Sequence, residues 1–139
     1  MISVLPISKK ENISKVYVIS ALNQLSSTEF NEDELSYLKE VLKEDFEGKL
    51  INRFKEQTYL VKVNDKSTSQ SQEKIRKAGA NITKSLNEFK QKEVAVYDKT
   101  KGEVFLASIS EGMALANYQF LQYFKDAKKK TNTLASIYT

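Results

Sequence analysis

The sequence predicts an α/β domain, a mixed sheet with helices on both faces. Strand-like and helix-like patterns alternate along the chain. The two longest helical stripes each place small residues where a neighbouring element would touch. A length of 139 residues suits one domain, 1–139, with one buried core.

Residues 15–20 (KVYVIS) are β-branched and aromatic and read as a first strand. A polar connection over 21–30 leads to a helix over 31–44. Asn31 can cap that helix, Glu32, Asp33 and Glu34 place acids in its first turn, and Leu35, Leu38, Val41 and Leu42 form its stripe. Gly48, just beyond Phe46, is a plausible stop. Residues 49–54 and 58–63 are close enough to pair as a hairpin across Lys55-Glu56-Gln57. The most polar stretch, 64–72 (NDKSTSQSQ), reads as an exposed loop. A second helix over 71–90 carries the stripe Ile75, Ala78, Gly79, Ile82, Leu86 and Phe89. Residues 93–97 (EVAVY) form a buried type of strand and 98–102 a turn.

The longest unbroken helical period runs over 104–130. Phe105, Ile109, Gly112, Met113, Ala116, Phe120, Tyr123, Phe124 and Ala127 fall on one stripe, with Ser110 off it. A glycine inside a helix costs about 1 kcal/mol relative to alanine, so Gly112, one turn from Ala116, signals close approach to a neighbour. Lys125, Lys128, Lys129 and Lys130 suit a helix C-terminus. Residues 94–109 can also be drawn as a hairpin, but Phe105 and Ile109 are in phase with the stripe, which starts the helix near Glu103. Residues 134–138 (LASIY) look like another strand. The chain stops at Thr139 in or just after it, an end expected of a domain cut from a longer protein.

The search for chemistry returns little. The chain has no cysteine, so it offers no disulfide, catalytic thiolate or cysteine metal site, in keeping with a reducing compartment. It has no histidine, the commonest general base and metal ligand. No signal peptide or membrane-spanning run is recognisable, and a cytoplasmic location is expected. Phosphate-binding glycine loops and nucleophile elbows are absent too. Glu32, Asp33, Glu34, Glu40 and Glu44 read as a solvated helix face, and Asp65 and Asp98 as lone carboxylates. Ser108 and Ser110 beside Glu111 have no histidine to serve as base. A net charge of +4 is too small to indicate nucleic acid on its own. Lys84, Lys90, Lys92 and the 125–130 lysines, with Tyr118, Tyr123 and Phe124 near them, allow a binding surface, although Tyr123 and Phe124 belong to the apolar stripe. Arginine is confined to Arg53 and Arg76, which weakens a base-reading case.

One segment carries a resemblance. Glu111-Gly112-Met113-Ala114-Leu115-Ala116-Asn117-Tyr118-Gln119-Phe120 resembles the E-G-x-x-L-x-x-Y-x-F run near the end of the N-terminal domain of bacterial leucyl (cytosol) aminopeptidases. Ile75-Arg76-Lys77-Ala78-Gly79-Ala80 is similar to a helix start in one branch of that family, 94–97 falls where the family has a strand, and 124–126 where it leaves the helix. The resemblance implies a macro-like, three-layer α/β/α domain with a central mixed sheet and no active site. It further implies a catalytic C-terminal domain in the same polypeptide, using two divalent metals (zinc or manganese), and a hexameric parent. The family's N-T-D-A-E-G-R type of catalytic segment does not occur here, so no catalytic, cofactor-binding or metal-binding residue is assigned, Glu111 included. The reading is a non-catalytic domain for assembly and for positioning the catalytic domain. The alternative is a stand-alone macro-like domain binding an ADP-ribose-type ligand or nucleic acid. Macro domains cradle a diphosphate in glycine-rich loops, and four glycines argue against that.

Overall fold

A computed structural model describes residues 3–5, 13–25, 30–43, 45, 46, 48–53, 56–64, 68–123, 134 and 136–139. The expectations for Glu44, Asp65 and residues 124–130 lie outside these. In chain order the elements are β1 (Ser3–Leu5), β2 (Ser14–Ile19), α1 (Glu32–Val41), β3 (Gly48–Arg53), β4 (Glu56–Lys62), α2 (Ser69–Glu88), β5 (Glu93–Asp98), α3 (Leu106–Tyr123) and β6 (Ser136–Tyr138), with short 3-10 turns at Leu22–Gln24 and Lys101–Glu103. The strands form a single mixed sheet in the order β1-β6-β5-β2-β4-β3. The pairings are parallel except for the β3–β4 hairpin, in which Leu50 faces Tyr59.

Topology decides which helix covers which face. From β4 the chain crosses over β2 to β5, and from β5 it moves on in the same direction to β6. Parallel crossovers keep one hand, so α2 and α3 share a face. The connection from β2 to β4 steps the opposite way, which puts α1 on the other face. Alternation along β2 feeds both layers. Val16 and Val18 pack with Ile75, Ala78, Ile82, Leu86, Phe105, Ile109 and Met113. Tyr17 and Ile19 pack with Phe30, Leu38 and Leu42. The expected three-layer α/β/α arrangement is therefore present.

The contact between α2 and α3 is unusually close, as the small residues suggested. A Cβ on Gly112 would lie 2.2 Å from the Arg76 carbonyl oxygen, and one on Gly79 would lie 2.6 Å from that of Ile109. Each helix thus sets a bare backbone against the other's backbone. Along the seam, Gln72 Nε2 donates to the Val104 carbonyl (3.0 Å), Thr83 Oγ1 to that of Met113 (3.4 Å), and Asn87 Nδ2 to Asn117 Oδ1 (3.1 Å). Residue numbers rise together on both helices, so the two run in the same direction. At the far end, Asn117 Nδ2 donates to the Leu134 carbonyl (2.9 Å) and the Leu134 amide donates to Asn87 Oδ1 (2.8 Å), which fixes the chain's return into β6.

Several boundaries differ from the sequence reading. Helix α2 begins at Ser69, inside the stretch read as a loop, because Thr68 and Ser71 cap each other: Ser71 N donates to Thr68 Oγ1 (3.1 Å) and Thr68 N to Ser71 Oγ (2.7 Å). Phe89 lies past the last turn of α2 and is 40% exposed rather than in the core. Ser110, placed off the stripe, is buried, whereas Ala116 is only half-buried and faces an outer groove. The α3 stripe is rotated accordingly toward the α2 seam. Strand β1 was not anticipated, since three residues show no period. The hairpin drawn over 94–109 does not form; β5 leads through a turn into α3.

In an isolated helix, Gly→Ala gains about 1 kcal/mol. At Gly112 the sign should reverse. Gly112→Ala must push the helices apart and is expected to lose 1–3 kcal/mol or somewhat more, read as a lower urea midpoint at unchanged m-value. Ala107→Leu, on the exposed side of α3, should leave the midpoint within about 0.5 kcal/mol of the parent. A neutral Gly112→Ala would mean that the crossing is looser than described.

Candidate functional site

In open parallel sheets, ligands bind beyond the carboxyl ends of the strands where the connections diverge. Here that place lies between β2 and β5, because the chain leaves this pair in both directions. Its walls are the segments after Ile19 and after Asp98.

In both walls, backbone donors are used internally at specific points. After β2, the Ser20 amide donates to Gln24 Oε1 (2.7 Å) while Gln24 Nε2 donates to Ser20 Oγ (2.8 Å). After β5, Asp98 is buried and its carboxylate is surrounded by donors. Oδ1 accepts from the Thr100 amide (2.9 Å) and from the Thr100 hydroxyl, and Oδ2 accepts from the Phe105 amide (2.8 Å). Phe105 immediately precedes α3, so Asp98 satisfies a donor at that helix's N-terminus. This is where a ligand phosphate would otherwise draw on the helix. Gly102 makes the turn possible with φ +75°, and Glu103 follows at φ +51°. The carboxylate read from sequence as lone is the organising group of the loop. Thr100 meets it from two residues away, and Phe105, seven residues away, meets it only once the chain turns at Gly102.

The other sequence candidates do not converge on this crevice. Glu32, Asp33 and Glu40 are exposed on α1, and Glu34 closes a capping box with Asn31, whose Oδ1 accepts from the Glu34 amide (2.8 Å). Glu111 turns to Arg76, with Oε1 3.6 Å from Nε, while Arg76 Nη1 also reaches Glu73 at 3.4 Å. Ser108 and Ser110 lie on the buried side of α3. Lys84, Lys90, Lys92 and Tyr118 are exposed, and the remaining lysines of the expected basic cluster lie outside the described residues. Among the described residues, no group of three or more acidic, histidine or cysteine side chains could hold a metal ion. No described helix is long and apolar enough to cross a membrane. The sequence assigns no role to Asn87 and none of its own to Asn117; a signal is available, since Asn117 falls four residues after Met113 on the apolar side of the helix.

Among the described residues, one titratable group is displaced from its ordinary range. Burial pushes the Tyr59 hydroxyl above the usual phenol value. Its hydrogen bond with Ser85 (2.6 Å) pulls the other way, and the Glu88 carboxylate adds to the rise. Tyr59 sits on β4 beneath α2, outside the crevice.

Comparison with known proteins agrees with this architecture. Residues 65–127, which contain α2, β5 and the described part of α3, match the sequence profile of the cytosol aminopeptidase family, N-terminal domain. The resemblance carried by residues 111–120 is thereby shown. No curated protein sequence matches the chain. Among solved structures, a mutant of tomato leucine aminopeptidase superposes with a TM-score of 0.59 at 13% identity, over 99% of this chain and 32% of that one. The chain therefore spans about a third of that enzyme's length. The macrodomain of Thermus aquaticus DarG superposes with a TM-score of 0.56 at 9% identity, over 100% of this chain and 98% of that one. At such identities the likeness is one of fold, and the fold is macro-like.

Two outcomes are expected. Asp98→Ala strands the buried Thr100 and Phe105 amides and should lower stability by about 1–3 kcal/mol. Asp98→Asn keeps an acceptor for Thr100 but not a second carboxylate oxygen for Phe105, and should fall between the two in a urea titration. For Tyr59, above pH ~10 the unfolded chain releases a proton that the folded chain keeps. Stability from this group is therefore intact below pH ~10 and is lost as pH rises toward the elevated folded value. Ultraviolet titration of phenolate absorbance should show that Tyr59→Phe removes a late transition, not an early one.

Proposed function

With residues 65–127 matched to the N-terminal domain of cytosol aminopeptidases, we propose that this chain is the non-catalytic domain of a leucyl aminopeptidase-like metallopeptidase. It assembles the enzyme and positions a catalytic domain carried by the same polypeptide. The match over α2, β5 and α3 carries this reading. The superposition on one third of a leucine aminopeptidase supports it, since that leaves room for a larger partner domain in a protein of that kind. The rigid seam between α2 and α3 suits such a role, because a domain that orients another must not deform. In this reading the metals, zinc or manganese, and the reaction belong to the catalytic domain, the parent is a cytoplasmic hexamer, and this chain supplies no ligand.

The alternative, a free macro-like domain for an ADP-ribose-type ligand or nucleic acid, gains no specific support. The likeness to a macrodomain is one of fold, and three crevice amides, those of Ser20, Thr100 and Phe105, already bond to Gln24 and Asp98.

The 139-residue chain is expected not to turn over leucine p-nitroanilide with zinc or manganese added. Deleting the corresponding segment from the full-length polypeptide should dissociate the oligomer in sedimentation velocity and lower kcat/KM. Metal-dependent turnover by the chain alone, or an unchanged oligomer and kcat/KM after the deletion, would overturn the assignment.

A further inference from the structure

Helix α2 lies over the β3–β4 hairpin and α3 over β5. Packing of α2 on the hairpin leaves a cleft of about 340 Å³ between them. Its walls are the Phe46 and Tyr59 rings, Leu50, Ala78 and Ile82, and its polar edge is made by Ser85 and Asn81. The volume falls within the range of small-molecule sites, and the lining, apolar with a few polar groups, has their usual chemistry.

Two features show that the space is built rather than left over. Gly48 faces the cleft from β3; a Cβ there would meet Ile82 Cγ1 at 3.6 Å, an ordinary contact, so packing does not demand the glycine. A glycine in a strand often marks close approach by a ligand or another chain. Phe46 holds a left-handed backbone (φ +63°), costly for a bulky residue, with its amide donating to the Lys62 carbonyl (2.6 Å). Its ring meets Phe105 edge-on at 6.2 Å and lies 5.6 Å from Lys74 Nζ, so the side chain is fixed as a cleft wall.

The lining also selects the ligand's chemistry. Among the described residues, the lining contains no charged side chain, which disfavours an ion. Tyr59 and Ser85 share one hydrogen between their hydroxyls, leaving a second hydroxyl hydrogen and lone pairs for a guest. The Tyr59 hydroxyl is neutral at physiological pH, as a phenol ordinarily is, and burial raises its pKa further. We propose that this cleft binds a small neutral aromatic compound bearing one hydrogen-bonding group, of the phenol or indole class. The site adjoins the loop after β5 through the Phe46–Phe105 contact, lies on the α2 side of the sheet, and does not depend on the aminopeptidase reading.

Saturation-transfer NMR on the 139-residue chain tests it, with phenol, indole, toluene and benzoate as probes. Phenol and indole should receive saturation, and benzoate should not. Gly48→Val fills the cleft without a backbone clash and should abolish the transfer while keeping the thermal midpoint. Tyr59→Phe combined with Ser85→Ala removes both hydroxyls together, which leaves no orphan, and should weaken phenol roughly two- to tenfold with toluene unchanged. No transfer to phenol or indole at millimolar concentration would overturn the proposal. So would transfer that persists in Gly48→Val, or equal weakening of phenol and toluene in the double variant.

Discussion

The architecture depends on how closely α2 and α3 approach. With any side chain at Gly79 or Gly112, each helix would collide with the other's main chain. Without one, dispersion contacts form along the whole seam, and the stripes of Ile75, Ile82, Ile109 and Met113 reach the sheet together. That proximity also brings Asn87 within reach of Asn117, and through both of them Leu134 is held before the last strand. The matched family segment coincides with this unit, so the part of the chain most recognisable in sequence is also its mechanical centre.

The loops at the carboxyl edge follow a different logic. A sheet of this topology offers a binding crevice, and a binding crevice needs unmatched donors. Here the Ser20, Thr100 and Phe105 amides bond within the chain instead. Asp98 does for the start of α3 what a bound anion would do, and Gln24 closes the opposite wall. A fold shared with a macrodomain thus says little about shared ligands, because a single carboxylate changes what the crevice can accept.

Much of this was legible in the sequence, and the illegible parts have a common cause. The periods of α2 and α3, the hairpin and the buried strands are local patterns, and local patterns survive in a one-dimensional reading. The small residues Gly79 and Gly112 announced a close contact, although not with which element. The start of α2 was misplaced because Thr68 and Ser71 resemble any polar loop until their side chains cross-bond. The face of α3 was misjudged at Ser110 and Ala116 because two partners, the sheet and α2, share the stripe. Asp98, the asparagine network and the cleft beside β3 depend on where separate segments meet, and periodicity carries no information about that.

The place of β6 in the sheet has a consequence for how the chain folds. Residues Ser136–Tyr138 lie between β5 and β1, pairing with Ser3–Leu5 on one side and Glu93–Ala95 on the other. Among the described strands, β1 therefore has no partner until β6 arrives. During synthesis, β2, β4, β5 and the two packed helices can associate while β1 waits, tethered but unpaired. Closing that edge joins the most distant points of the described chain, the slow kind of contact that limits folding rates in sheets of non-local pairing. The asparagine network, by holding Leu134 beside α3, shortens that search by delivering β6 to its slot.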